Sequence, residues 1–202
     1  MNRAIIYVFI VVGVFLVLVV NSAFCEEGMS SVQNAEEGVK SSVKEVVDII
    51  STCTEQDTEK IKSAFALLKD FPQEQVLEEL IVYLDSDTPK IRRAAIVTIY
   101  KNEWDNYEKA VEPLIDLLSH KEDLTRGMAA IALGELKVHR AFNQIAELLE
   151  SDGSSYARRC AAHALGAIGN KKAIPYLKRA LNDPNELVRN NAKHALELLE
   201  KQ

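Results

Sequence analysis

The side chains able to do chemistry are few. Histidines stand at 120, 139, 163 and 194, and cysteines at 25, 53 and 160. His163 and His194 hold the same position in two consecutive copies of a repeated segment, so they can lie side by side. Two histidines with neither a third ligand nor a carboxylate in register make a poor metal site, because a bound transition metal needs three or four converging donors. No Ser-His-Asp arrangement, phosphate-cradling loop or Cys-x-x-Cys pair occurs. The chain is therefore expected to hold no catalytic, cofactor-binding or metal-binding residues. Cys53 and Cys160 lie several stacked units apart, at about 10 Å per unit. A disulfide cannot span that distance, so free thiols are expected. Cys160 shares its repeat position with Ala94, Met128 and Asn191, which suits a small packed residue.

A second set of polar groups is more regular. Arg92, Arg126, Arg158 and Arg189 are separated by 34, 32 and 31 residues. Asp152 and Asp183 each precede an arginine by six positions, and Asp87 precedes Arg92 by five. Before Arg126 the pattern breaks: Lys121 takes the matching place and Asp123 lies nearer. A guanidinium presents a planar fork that a carboxylate can bridge with two hydrogen bonds. The expected role of this set is a structural ladder between adjacent units.

The elements that must carry the ladder can be read from periodicity. A spacing of 31 to 34 residues is that of a solenoid, whose units cannot bury their apolar faces alone. Each arginine lies in an apolar helical stripe. The first three are followed by a second stripe, Ala110/Leu114/Leu118, Ala141/Ile145/Leu149 and Ala173/Leu177/Leu181, and an earlier, weaker copy is Val76/Leu80/Leu84. Residues four apart share one helix face, so every unit is a pair of helices, A then B. Asp183-Pro184 and Thr88-Pro89 read as N-caps with proline in the first turn. Pro113 and Pro175 read as first-turn prolines of B helices. Gly134 and Gly166 read as glycines closing A helices. After residue 38 no sustained strand-like alternation appears.

The segment Asp183-Pro184-x4-Arg189-x2-Ala192-x2-Ala195-Leu196, with its copy Asp152-x5-Arg158-x2-Ala161-x2-Ala164-Leu165-Gly166, resembles the HEAT repeat family in its short form, related to the phycobilisome-lyase repeats. The resemblance covers roughly residues 58–202 and is strongest over 119–199. It implies an all-α fold: an α-solenoid of about four and a half helix pairs, preceded by an N-terminal capping helix. It is informative about fold and nearly silent about chemistry. The deoxyhypusine hydroxylases, iron enzymes built from similar repeats, carry His-Glu pairs just after the repeat arginine. Here those places hold Arg93-Ala94, Gly127-Met128, Arg159-Cys160 and Asn190-Asn191, so the resemblance does not carry that activity over.

The N-terminus has a different character. Met1-Asn2-Arg3 is a short basic start, and Ala4 to Val20 is an apolar run. Small and polar residues then lead to Cys25 and Glu26-Glu27. Residues 1–25 read as a secretory signal peptide, an uncleaved membrane anchor, or a lipidation signal at Cys25. On any of these readings the repeat domain is exported, to a periplasmic or secreted location, and only the tether differs. Residues 26–38 read as a flexible spacer. Residues 39–57 read as a capping helix and linker, with Val39, Val43, Val46, Val47 and Ile50 at helical spacing.

The net charge is −6. Residues 1–25 hold one charged residue, Arg3, so removing them leaves 23 basic against 30 acidic residues, or −7. Such a balance argues against nucleic acid as a partner, and the membrane enters only through the N-terminal segment. The expected partner is a protein or peptide. Its contact surface is expected on the B-helix face, where Glu112, Asp116, Gln144, Glu147, Tyr176 and Arg179 point away from the apolar stripe. That face runs from acidic to basic. The connection from Ile99 to Ala110 is longer than its counterparts and carries the single tryptophan, Trp104, with Tyr107. Loop insertions in solenoids gather on one face, and an exposed Trp/Tyr pair suits a partner contact; alternatively Trp104 folds back over the insertion.

Overall fold

A computed structural model describes residues 5–11, 14–20, 46, 49–50, 52, 56–68, 71–102 and 106–201. The chain divides into two compact units, Met1–Ser42 and Val43–Gln202.

In the first unit the apolar run forms an antiparallel pair, β1 (Ile5–Val11) and β2 (Val14–Val20), with Ile5 opposite Val20 and Val11 opposite Val14. These stretches are dominated by Val, Ile and aromatic residues, the types that suit a pleated strand. The all-α architecture is thus that of the second unit. No helix among the described residues is long and apolar enough to cross a membrane. The spacer expected at 26–38, Cys25 and Cys53 lie outside the described residues. Of the capping segment expected at 39–57, Val46 and Ile50 are helical and buried in the core of the second unit, while Ile49 is exposed.

From Thr58 onward the second unit contains nine α-helices among its described residues. They are α1 (Thr58–Leu67), α2 (Gln73–Tyr83), α3 (Pro89–Lys101), α4 (Glu108–Asp116), α5 (Asp123–Glu135), α6 (Phe142–Ser151), α7 (Ser155–Ile168), α8 (Ile174–Ala180) and α9 (Glu186–Glu200). The odd-numbered helices are A helices and the even ones B helices. Four pairs followed by the lone α9 make four and a half units. One continuous apolar core runs through all of them, from Ile61 and Phe65 at one end to Ala195 and Leu199 at the other. Each helix contributes a stripe to it, such as Ile91, Ala95, Ile96 and Ile99 of α3 and Phe142, Ile145, Ala146 and Leu149 of α6.

Several punctuation marks play roles other than those expected. Gly134 and Gly166 do not close their helices; both lie inside them and are buried. A Cβ on Gly134 would come within 2.7 Å of the Ala164 Cα, and one on Gly166 within 2.8 Å of the Ala195 Cβ. These glycines let α5 approach α7, and α7 approach α9, closely enough for backbones to touch. The left-handed closing residue of α7 is Gly169, with φ 77°. For α5 it is Lys137, with φ 52°. There the Lys137 N–H donates to the Gly134 carbonyl and the Val138 N–H to Leu133, which is the Schellman pattern. Asp183 does not cap α9: Asn185 does, accepting from the Leu187 N–H at 2.9 Å. Pro113 sits in the interior of α4 rather than in its first turn, because that helix begins at Glu108. Thr88-Pro89 and Pro175 do open their helices.

A buried ladder and an open face

The four repeat arginines sit in the first turn or so of α3, α5, α7 and α9. An A helix begins right after an inter-unit loop, so this position aims the guanidinium back at that loop and sideways at the next unit. Arg126 donates through Nε to Asp152 at 2.6 Å, and through its second terminal nitrogen to the other oxygen of that carboxylate at 2.8 Å. Its remaining nitrogen reaches the His120 carbonyl at 2.8 Å. Arg158 repeats the arrangement one unit on, with Asp183 at 2.8 and 3.0 Å and the Asp152 carbonyl at 2.7 Å. Each arginine thus ties the loop six residues before it to the loop of the following unit.

Asp152 shows why a loop aspartate is required. Its carboxylate accepts from Arg126 of the preceding unit and from the Ser154 N–H, while its own carbonyl accepts from Arg158. Burial pushes the Asp152 carboxyl up, but the Arg126 hydrogen bonds and the Ser154 N–H outweigh it and leave its pKa lowered. The Arg158 fork lowers Asp183 directly. The hydrogen bonds they donate to Asp152 and Asp183 raise Arg126 and Arg158 in turn.

Where the aspartate is missing, Glu122 takes over. Arg92 is 5% exposed; it donates to Glu122 at 2.9 Å, to the Thr125 hydroxyl at 3.1 Å and to the Ser86 carbonyl. The buried Thr125 hydroxyl donates to Glu122 at 2.6 Å. Neither Asp87 nor Lys121 occupies this rung. Arg189, in the last A helix, keeps only the backward half, donating to the Asp183 and Pro184 carbonyls at 2.8 and 3.0 Å. No buried side-chain nitrogen or oxygen among the described residues lacks a hydrogen-bond partner.

The B-helix face holds the residues expected to meet a partner. Trp104 lies outside the described residues. Tyr107 is half-buried at the start of α4, against the core. Glu112, Asp116, Gln144, Glu147 and Arg179 are exposed, and Tyr176 is half-buried. The expected run from acidic to basic is largely cancelled locally. Arg140 donates to Glu112 at 3.0 Å and also bridges to Glu108. Lys109 reaches Glu74 and Glu78, each at 3.1 Å. Arg179 reaches Glu150 at 2.7 Å and lies over the Tyr176 ring, 4.8 Å from its centre. Tyr176 meets Phe142 edge to face at 6.0 Å. These second-face rungs have a sequence signal: a cation precedes Ala110 of α4, Ala141 of the turn before α6 and Ala173 of the turn before α8, at Lys109, Arg140 and Lys172. Lys172 marks the break in the series, because Asn143 stands where α4 has Glu112.

Two notches open on this face, one unit apart. The first, about 200 Å³, lies between α6 and the turn that follows α4 and holds Gln144 and Glu147 beside Leu118 and Leu148. The second, about 190 Å³, lies between α6 and α8 and holds Tyr176 and Arg179 beside Leu149 and Ala180. Thus four of the residues expected at the interface come together in pairs, while Glu112 and Asp116 line neither notch.

Among the described residues, the thiol and imidazoles of the A helices form no reactive group. Cys160 is a buried free thiol whose pKa burial raises, the opposite of an activated cysteine. His163 faces Glu135 at 2.8 Å, and His194 adds no further donor: no group of three His, Cys, Asp or Glu side chains among the described residues is placed to hold a metal.

The architecture defines the class: an α-solenoid of HEAT or armadillo type. Residues 111–197 match the family described as HEAT repeats. The rice (Oryza sativa subsp. japonica) protein deoxyhypusine hydroxylase-B is 28% identical over 141 residues, covering 69% of this chain and 45% of that one. The chain therefore spans less than half the length of that relative. Among solved structures, the CpcE–CpcF complex of phycocyanin lyase from Nostoc sp. PCC7120 has a TM-score of 0.63 at 22% identity, covering 79% of this chain and 65% of that one. A designed armadillo repeat protein in complex with the peptide (KR)4 has a TM-score of 0.57 at 19% identity, covering 87% and 95%. At these identities the likeness to the two structures is one of fold. The residues that follow the repeat arginines do not fit the iron of the hydroxylases. Arg93-Ala94, Gly127-Met128, Arg159-Cys160 and Asn190-Asn191 offer a single thiol, itself buried, and no carboxylate or imidazole.

Proposed function

We propose that the protein is a non-catalytic scaffold that binds a protein or peptide partner through the B-helix face, in an extracytoplasmic compartment. The observation that carries this reading is the pair of notches one unit apart. Each sets apolar side chains beside polar groups able to fix orientation, and a spacing of about one unit, ~10 Å, suits side chains about three residues apart along one extended segment. The designed armadillo protein that holds a (KR)4 peptide on a similar fold supports the same use of the stack. The exposed ion pairs of this face cost little to open, so Glu112 and Arg179 remain able to exchange a neighbour for a partner. Trp104 belongs to the proposed surface through its place in the long loop before α4. The absence of carboxylate and imidazole after the repeat arginines supports a binding role over a metal-dependent one. Export rests on the basic start and the apolar run that follows it.

The reading is tested by capture of partners from envelope extract with the wild-type chain, with Glu147→Lys/Arg179→Glu and with Trp104→Ala. The expected result is loss of the captured species with the charge-reversed variant and weaker capture with Trp104→Ala. Capture unchanged by all three substitutions removes the B face from consideration. Intact-mass measurement of the mature protein decides the tether: loss of residues 1–25 establishes a cleaved signal, and retention an anchor.

A further inference from the structure

The loop before each A helix from α3 onward follows one plan. Ser86, His120, Asp152 and Asp183 stand six residues before the four repeat arginines. The carbonyl of each accepts from its arginine. The side chain of each accepts from the backbone N–H two residues on. Ser86 Oγ accepts from Thr88 at 3.2 Å, Asp152 from Ser154 at 2.8 Å and Asp183 from Asn185 at 2.8 Å. At His120 the acceptor is Nδ1, which takes the Glu122 N–H at 3.0 Å. Of the four, only this acceptor gains a proton near neutral pH. We propose that the junction between α3 and α5 is a hinge that protonation of His120 loosens, by breaking the turn that holds Glu122 on Arg92.

A ring nitrogen that accepts from an N–H carries no proton of its own. Once protonated, Nδ1 meets the Glu122 N–H donor to donor, so the turn opens or the ring leaves. Glu122 is the group that binds this junction: its carboxylate accepts from Arg92 at 2.9 Å, from Thr125 at 2.6 Å and from Arg93. The next two junctions have a second hold that is missing here. Gly134 and Gly166 bring backbones into contact there, whereas Tyr100 occupies their repeat position in α3, eight residues after the arginine. The His120 ring is half-buried. Arg92 of α3 and Lys121 of its own loop oppose a cation on it, and Glu122 favours one; Arg126 of α5 bonds the carbonyl of the same residue. Burial first, and then Arg92, hold the imidazole below its ordinary range. The stability this group contributes is therefore fully present above the unfolded value of about 6.5, and it is lost as pH falls through the lowered folded value. Leu118 and Ser119 of the first notch directly precede His120, so hinge and notch share one loop. The inference does not rest on the partner surface, because its readouts concern the free chain.

Two measurements on the full chain test the hinge between about pH 5 and 8. Nuclear magnetic resonance of the imidazoles follows His120 directly. Its ring should titrate below the usual histidine range, with Nδ1 unprotonated at the alkaline end, and the Glu122 amide should shift in step. Hydrogen exchange read by mass spectrometry follows the turn over residues 117–126, comparing wild type with His120→Asn at equal pH. Asparagine keeps an acceptor at this place but takes up no proton. The two should exchange alike above about pH 7. Below that the wild type should exchange faster than the variant, by up to about tenfold per pH unit, the limit for one linked proton. Residues 155–168 of α7 should show no difference, and His139→Asn should follow the wild type. The inference is overturned if His120 titrates at or above about 6.5, if the Glu122 amide ignores its titration, or if wild type and His120→Asn exchange alike down to about pH 5. Should His120→Asn fail to fold, the ring titration and the Glu122 amide shift of the wild type decide alone.

Discussion

The same pair of groups, guanidinium and carboxylate, links adjacent units on two sides of this solenoid, with different consequences. At the loop ladder the Arg126 and Asp152 side chains are 18% and 7% exposed, and those of Arg158 and Asp183 are 14% and 9%. On the B face the Arg140 and Glu112 side chains are 45% and 69% exposed. Water screens the second kind, so each pair contributes little to stability. The first kind is partly desolvated and bidentate, and it also carries backbone carbonyls that would otherwise be left unpaired. The lesson is that a repeated ion pair is structural or exchangeable according to its burial, not its chemistry. The buried set spaces the units; the open set leaves a face free to rearrange around a partner.

The largest effect should come from breaking the buried side. Arg158→Ala leaves Asp183 and the Asp152 carbonyl without their donor, so unfolding stability should drop by about 3 kcal/mol, read by urea denaturation. A loss below about 1 kcal/mol would place the ladder with the exposed pairs. Gly134→Ala tests the backbone contact beside it. The new Cβ has Ala164 backbone in its path, so a loss of about 2 kcal/mol is expected from overpacking, measured the same way.

Acid sharpens the contrast. Asp152 and Asp183 titrate below their ordinary carboxylate range in the folded chain. The unfolded chain therefore takes up their protons first, and the stability these groups contribute is fully present above the unfolded pKa of about 4. It is lost as pH falls from there through the lowered folded values. The urea midpoint should decline over that window, and Asp183→Asn, already weakened at neutral pH, should decline less. The smallest effect belongs to Arg140→Ala, whose urea midpoint should stay close to that of the wild type, with any deficit vanishing in high salt. A salt-resistant loss comparable to that of Arg158→Ala would erase the distinction between the two faces.

Legibility followed the range of the interaction. The period of the arginines and the four-residue spacing of Ala110, Leu114 and Leu118 announce helix pairs, because both are properties of a single helix repeated along the chain. Which carboxylate each arginine meets was less legible. Asp152 stands six residues before Arg158, yet its side chain serves Arg126 of the unit before, and only its carbonyl serves Arg158. Glu122 was missed because it stands four residues before Arg126, at the N-cap place held by Thr88, Ser154 and Asn185 in the other units, and not at the six-residue place of Asp152 and Asp183. Gly134 and Gly166 looked like helix ends since a glycine after the last apolar residue usually is one. Their actual neighbours, Ala164 and Ala195, are about thirty residues away. On the B face the acidity of Glu112 was read from α4 alone, without Arg140 of the next unit that sits against it.

The amino-acid sequence by itself determined the helix pairs, their number, the buried stripes and the arginine at the start of each A helix, because 3.6-residue periodicity and the repeat length are local and survive without knowledge of neighbours. The tertiary structure alone decided how one unit sits on the next. From that stacking follow the forward reach of each arginine to the next loop, the backbone contacts at the glycines, and the neutralised charges and notches of the B face. All of these depend on distances between units, which packing sets and no single repeat encodes.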